Sequence, residues 1–386
     1  MIILDQPYIS EELKKHLSFD RTIFVLKNAT AINCLGEDFP NLLPEEQFAA
    51  LFTQGRRLYT CSENSIEWIT QNIRDKKLLD CIERMKNKAM FRELLAPLYP
   101  DFFFEQATLA ELSALDVEKF TYPFVLKPNV GFFSVGVYSI TCKQDWDDAL
   151  ADLANKVDHW QKIYPESVVN REFLLEQYVY GEEFAIDAYY DQNGEPVILN
   201  ILKHDFNGMA DVSDRFYYTG KSIIENYLEN FTKWLREVNR YFKARDFPFH
   251  AEVRIDADRI TPIEFNPMRF AGWCCTDISR FAFGFYTYDY YYHHQKPDWE
   301  NLLRGKEGKY YTLIILDKSN TELNAGEFDY ETACENFGKI LCLRKIDFHQ
   351  NPVYGFLFTE IDESDNETRQ HITKANFDLF VRSGRC

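Results

Sequence analysis

HAEVRIDADRITPIEFN, His250 to Asn266, reads as two β-rich arms around a polar turn at Ala257, Asp258 and Arg259. Strand side chains alternate between faces. With a three-residue turn, Ala251, Val253, Ile255, Ile263 and Phe265 face a core, while His250, Glu252, Arg254, Glu264 and Asn266 share the other face. That register sets Glu252 directly across from Glu264. Carboxylates facing one another destabilise a sheet, and a bridging cation removes the conflict. Joined by the amide oxygen of Asn266 they form a hard ligand set of the kind Mg2+ takes, with octahedral positions left for water and phosphate oxygens. On strand pattern alone the same glutamates also fit a solvated face neutralised by Arg254.

Upstream, PFVLKPNVGFFSVGVYSI, Pro123 to Ile140, reads as strand, glycine-containing turn, strand. Lys127 at a strand end, followed by Gly131, Ser134 and Gly136, gathers an ammonium, a hydroxyl and approachable backbone N–H groups, donors matched to phosphate oxygens. It is not a Walker A loop, having no G-K-[ST], nor a dinucleotide fingerprint, since a strand follows. An ordinary hairpin with turn glycines satisfies the same residues. Asp145 to Lys162 spaces Trp146, Ala149, Leu150, Leu153 and Val157 as a helix packed on that hairpin. FLLEQYVYGEEFAIDAYYDQNGEPVILNILK, Phe173 to Lys203, predicts a strand pair about a tight turn at Asn193-Gly194. A polar segment from Lys203 to Lys221 reads as a flexible charged loop able to close over a substrate. A long amphipathic helix then runs from Lys221 to Arg245 and is stopped by Pro248.

At the ends of the chain the patterns are shorter. TIFVLKNATA, Thr22 to Ala31, and the helical spacing from Leu43 to Phe52 predict a small α/β unit. A helical stretch from Lys76 to Leu98 ends where Pro97 and Pro100 cannot extend it. YYTLIIL, KILCLRKI, GFLFTEI and a last helix predict a small C-terminal α+β unit. The expected domains are 1–84, 85–305 and 306–386, the middle one divided into a hairpin flap at about 120–175 and a metal-binding part at about 176–305.

Composition narrows the function. At 386 residues, 46% hydrophobic and 27% charged, the chain is neither disordered nor collagen-like. A formal charge of −18 argues against nucleic acid or an anionic membrane as the main partner. Nine cysteines, an odd number with no C-x-x-C pair, fit a reducing compartment better than a disulfide framework. MIILDQPYISEELKKHL lacks the apolar run of a signal peptide, and no stretch approaches the roughly 20 apolar residues of a membrane span. The cytoplasm is the expected location.

Taken in order, PFVLKPNVGFFSVGV, LLEQYVYGEEFAID, the long helix, and HAEVRID with ITPIEFNP resemble the ATP-grasp superfamily, in its carboxylate–amine ligase form, over roughly Lys88 to Tyr292. The resemblance implies an α/β and α+β multidomain ATP-grasp fold, two α+β subdomains clamping ATP between a small N-terminal pre-grasp unit and the C-terminal unit. It implies that Lys127 reaches the α and β phosphates, that Lys88, opening KAMFRELL, also touches phosphate, and that Gly131, Ser134 and Gly136 cover them. Glu176, Gln177 and Val179 would form the adenine hinge, largely through backbone groups, and Glu183 would hold the ribose hydroxyls. Glu252, Glu264 and Asn266 would bind one or two Mg2+ ions, with Mn2+ as an allowed substitute. Lys203, at a strand end, would contact the γ-phosphate, and His204 is either a base or a loop hydrogen-bonder.

The sequence departs from the family where an arginine often follows the asparagine and proline: here the run is Asn266, Pro267, Met268, Arg269. Arg269, one position late, or Arg254 would neutralise the oxyanion of an acyl phosphate, and either equally serves as a structural ion-pair partner. Cys274 and Cys275 have no assignable basic partner and read as structural thiols. The implied reaction activates a small-molecule carboxylate with Mg-ATP and transfers it to a nucleophile, an amine of an amino acid or peptide, giving amide, ADP and phosphate. A homodimer is compatible with it. A biotin-carboxylase-like carboxylation is the rival enzyme reading, although no lysine-presenting biotin-carrier motif is found. A non-catalytic ATP-binding sensor or scaffold is the rival of another class, supported by the displaced arginine.

Overall fold

The first strands are short and apolar, and parallel strands need crossovers. In the computed structural model β1 (Ile2–Ile3), β2 (Val25–Leu26), β3 (Leu42–Leu43) and β4 (Tyr59–Thr60) pair in parallel in the order β3-β2-β1-β4. Three helices, α1 (Glu11–Phe19), α2 (Ala29–Leu35) and α3 (Glu45–Thr53), connect them, and α4 (Ser65–Asn72) follows. Ser10 and Asn28 cap α1 and α2 by accepting from Leu13 and Ala31 N–H. The structure describes residues 1–53, 55–129, 136–163, 172–208, 211, 213–320, 323, 325–335 and 337–382, side chains of 155–163 excepted. Gly131 and Ser134 lie outside the described residues.

The stretch expected as one helix from Lys76 to Leu98 is two, α5 (Lys76–Lys86) and α6 (Lys88–Leu95). Asn87 breaks it: its extended backbone ends the first helix and its side chain, accepting from Met90 N–H, starts the second.

The flap is an antiparallel sheet of β5 (Phe104–Thr108), β6 (Phe124–Pro128), β7 (Tyr138–Ile140) and β8 (Glu172–Gln177) in the order β5-β8-β6-β7, with α7 (Leu109–Leu112) and α8 (Lys143–Ile163). Phe124, Leu126, Ile140, Trp146, Leu153 and Phe173 give it a core of its own.

The body is one eight-stranded sheet. Its strands are β9 (Glu182–Tyr190), β10 (Pro196–His204), β11 (Phe216–Gly220), β12 (Phe247–Asp256), β13 (Arg259–Pro267), β14 (Lys309–Asp317), β16 (Lys339–Lys345) and β17 (Val353–Asp362), with the small pair β15 (Glu327–Phe328) and β18 (Val381–Arg382) apart from it. The order is β13-β12-β9-β10-β11-β14-β17-β16, each neighbour antiparallel. Around it lie α9 (Lys221–Phe242), α10 (Ile278–Phe283), α11 (Thr287–Tyr292), α12 (Trp299–Leu302), α13 (Tyr330–Ala333) and α14 (Asn366–Lys374).

Several expectations change. The segment 203–221, read as a loop, contains β11: FYYTG joins β10 to β14, so the C-terminal strands extend the sheet of the acidic hairpin rather than forming a sheet of their own. Between β9 and β10 the connection is five residues, 191–195, with positive φ at Gly194 (83°), because Asp191 accepts from the N–H groups of Asn193 and Glu195 and holds a wider loop. The acidic hairpin turns in two residues, not three, since Asp256 pairs with Arg259 and Ala257 takes φ 51°. A bulge then restores the expected pairing: Glu252 faces Glu264 while Val253 faces Pro262, leaving Ile263 unpaired and half-buried instead of in the core.

Candidate functional site

Glu252 and Glu264 are directly opposed on β12 and β13, with side chains 23% and 20% exposed. Their surroundings drive them apart. Burial and the Glu264 charge push the Glu252 carboxyl up to about 7. Burial also disfavours ionisation of Glu264, but the charges of Lys88 and Lys127 outweigh it and hold that carboxyl down at about 2. The Lys88 ammonium is 3.1 Å from Glu264 Oε2. Asn266 donates its amide nitrogen to Glu264 Oε1 at 3.0 Å, which leaves the amide oxygen as the ligand end of that side chain. Two carboxylates and an amide oxygen, one acid held partly protonated for want of a positive charge, fit a divalent hard cation.

Behind Glu252 stands a buried relay. His250 Nδ1 is 2.7 Å from Asp187 and its Nε2 is 3.6 Å from Glu252. Asp187 also accepts from Ala271 N–H at 2.8 Å and the Thr276 hydroxyl at 2.6 Å. Burial favours neutral imidazole, yet the two carboxylates outweigh it and raise His250 to about 9.

The flap contributes the opposite sign. Lys127 Nζ is 2.5 Å from Glu176 Oε1, and Arg92 Nε is 2.7 Å from Oε2. All three are buried. Arg92 also donates to the Pro262 carbonyl of β13 at 2.6 Å, tying α6 to the acidic hairpin. Burial opposes the Glu176 charge, but Arg92 and Lys127 prevail and hold it at about 2. The Glu176 carboxylate, expected beside adenine, is thus engaged with these cations. Gln177 is exposed and accepts from Phe103 N–H at 3.4 Å, and the Val179 carbonyl accepts from Arg254 at 2.6 Å. Gly181 closes this segment against β12. Its φ is 112°, and a Cβ there would lie 2.1 Å from the Ile255 carbonyl oxygen, so only glycine fits.

Glu183 sits between Arg254, 2.8 Å from Oε2, and His204, 3.2 Å from Oε1. Arg254 is therefore a partner of Glu183 rather than of the opposed acids. His204 is buried and stacked 4.1 Å from Tyr217, a hydrogen-bonder rather than an exposed base. Lys203 pairs with Glu182, and these residues line a cavity of about 410 Å³ together with Arg369 and Thr373 from α14. Arg269 reaches elsewhere. Met268 adopts φ 65°, and the next residue's guanidinium lies 2.6 Å from Glu63, which Lys86 approaches at 3.7 Å. The charges of Glu264 and Glu252 also act on Arg269. Gly136, the described end of the glycine turn, has φ 74°.

Arg92, Glu63, Lys86 and Asp187 were not anticipated. Arg92 had a signal, since it lies four residues after Lys88 and so on the same helix face. Asp187 had another, a lone acid inside the apolar strand FAIDAYY. Glu63 and Lys86 had none, because their partner Arg269 is distant in sequence. Cys274 and Cys275 are buried, and burial pushes both thiols up, that of Cys274 to about 12, as expected of structural cysteines.

Residues 120–277 match the ATP-grasp domain family. No curated protein sequence matches the chain. Among solved structures, L-amino acid ligase from Bacillus licheniformis is similar at 16% identity and TM-score 0.67, covering 100% of this chain and 98% of its own. N5-carboxyaminoimidazole synthase from Aspergillus clavatus, in complex with ADP and 5-aminoimidazole ribonucleotide, is similar at 14% identity and TM-score 0.58, covering 97% and 98%. Biotin carboxylase from Campylobacter jejuni is similar at 11% identity and TM-score 0.60, covering 94% and 87%. At these identities the likeness is one of fold. Among the described residues no helix is long and apolar enough to cross a membrane.

Proposed function

The chain is built on an ATP-grasp domain, and from that premise we propose that it is an ADP-forming ligase that activates a small-molecule carboxylate with Mg-ATP and passes it to an amine. The observation that carries this reading is the opposed pair Glu252 and Glu264 with Lys88 on one of them. Glu252, Glu264 and the Asn266 oxygen would hold Mg2+, which when bound draws charge from the phosphate oxygens. Lys88 and Lys127 would bind and orient the phosphates. The backbone from Glu176 to Val179 would receive adenine, and Glu183, oriented by Arg254 and His204, would meet the ribose. Both arginines are ion-paired, Arg254 with Glu183 and Arg269 with Glu63, and Arg269 is the one we assign to an acyl-phosphate oxyanion because the charges of Glu264 and Glu252 also act on it. Lys203, which lines the cavity, would serve substrate or terminal phosphate. Such residues accelerate phosphoryl transfer by positioning and electrostatics. The eight described cysteines are free thiols, and a cytoplasmic location is part of this proposal.

ADP formation tests the proposal. With Mg-ATP and a panel of amino acids, short peptides and hydroxy acids, ADP should appear only when a carboxylate and an amine are both present, with an amide seen by mass spectrometry. A chain that Mg-ATP stabilises against unfolding but that releases no ADP with any pair is a nucleotide sensor, and the ligase reading falls.

A further inference from the structure

Away from the acidic hairpin, two helices end side by side. His16 lies in the last turn of α1 and Asp20 caps it, while Asp289 lies in the first turn of the short helix α11 and His293 caps its other end. Each pair is spaced i, i+4, which stacks the side chains on one helix face. Three of the four side chains gather their ligand atoms, and His293 approaches both carboxylates of that group. Asp289 Oδ1 is 3.3 Å from His16 Nε2 and 3.3 Å from His293 Nε2, and Asp20 Oδ2 is 2.9 Å from His293 Nε2. Single ligand atoms of His16, Asp20 and Asp289 all lie within 4.8 Å of one another.

We propose that His16, Asp20, Asp289 and His293 form a zinc-class metal site that clamps the N-terminal unit to the body. Bonds of 2.0–2.2 Å from a tetrahedral zinc to nitrogen and oxygen ligands put those ligands about 3.3 Å apart, the spacing of the two edges from Asp289 to the histidines, with the Asp20–His293 edge shorter at 2.9 Å. Two imidazoles with two carboxylates are a borderline donor set that suits zinc, cobalt or nickel rather than Mg2+.

Two further observations point to a cation. The buried Nε2 of His16 makes no hydrogen bond, although Asp289 lies 3.3 Å away, so the angle is wrong for a proton shared between them. Among the described residues the ion-pair partners of Asp20 and Asp289 are these histidines, with no lysine or arginine in pairing distance. With neutral imidazoles the cluster therefore carries two negative charges, which one divalent ion balances.

The supporting contacts resemble those that orient metal ligands. Asp20 Oδ1 accepts from the Thr22 N–H at 2.8 Å and the Thr22 hydroxyl at 2.6 Å, turning Oδ2 toward the cluster. The His16 ring is wedged against Tyr286 and Tyr288 at 5.4 and 5.3 Å. His293, the most open at 38% exposed, provides the way in.

The full chain would be titrated with Zn2+ by calorimetry under excess Mg2+, beside His293→Ala, His16→Gln and the double variant. Expected are one tight zinc per chain, an affinity at least about a hundredfold lower in the double variant, and a zinc-induced rise in unfolding temperature that the double variant lacks. Co2+ should give the intense visible bands of a four-coordinate ion in the wild type alone. His293→Ala changes an exposed side chain, so folding is retained, and it should by itself weaken zinc binding; circular dichroism checks the others. Absence of zinc uptake at micromolar concentration overturns the site, as does zinc affinity unchanged by His293→Ala.

Discussion

Two charge clusters meet across the interior of this protein, and they are built oppositely. Around Glu176, one carboxylate serves two cations, Lys127 and Arg92, and its acid is held at about 2. Around the acidic hairpin, two carboxylates share Lys88, and one acid is driven up to about 7. The first cluster has a positive surplus and the second a negative one. An ion pair that satisfies itself is structure; one left short of charge is a place for a ligand. On the proposed function, a triphosphate chelated by a divalent cation would supply both missing signs, with the lysines binding its oxygens and the glutamates its metal. The reading as a solvated face neutralised by Arg254 does not survive this geometry, because that guanidinium is on Glu183.

The largest expected effect distinguishes the clusters by what they lose. Glu264→Gln keeps shape and removes one charge from the deficient cluster, and ADP formation should fall by about 10²–10³-fold, the scale seen when a group stabilising transition-state charge is removed. Folding should lose less stability than in a variant of Arg92, because the lost Lys88 ion pair is partly offset by relief of the facing like charge. Arg92→Met should do the reverse first: it strips a buried partner from Glu176 and a donor from the Pro262 carbonyl. A loss of roughly 3–5 kcal/mol in denaturant unfolding is expected from breaking such a pair. Equal stability losses in both variants would mean that the two clusters do not differ in what they hold together.

Much of this architecture could be read in the residues, and the failures share a cause. The opposed glutamates were legible because alternation fixes faces, and the pairing survived even though the turn is a residue shorter, a bulge at Ile263 making up the difference. That compensation is invisible to a count of two. Strand β11 was missed because FYYTG follows a long polar segment and is only five residues, and its place is set by pairing with β14, about a hundred residues on. The partners of Arg254 and Arg269 were equally hidden: Glu183 and Glu63 are brought in by sheet register and by the packing of the N-terminal unit, neither of which leaves a local pattern. Position on a face was predictable, whereas the charge a side chain finally meets was not.

The smallest effect sharpens the comparison most. A carboxyl that sits near 4.3 in an unfolded chain and about 7 in the folded one keeps a proton in the native state that the unfolded state has lost. Between those values the folded state binds more protons, so its stability falls as pH rises. The metal-free chain should therefore lose a few degrees of unfolding temperature from pH 4.5 to 7 on account of Glu252. The difference between wild type and Glu252→Gln isolates that slope from His250, whose raised value of about 9 loses its contribution in a higher window, from about 6.5 upward. Glu264 works the other way at lower pH: held at about 2, it stabilises above its unfolded value and loses this as pH falls through about 2. Saturating Mg2+ should cancel the Glu252 slope, because a bound cation keeps both acids ionised. A flat profile without metal would mean that the facing acids do not feel one another, and the negative surplus on which the site is argued would not exist.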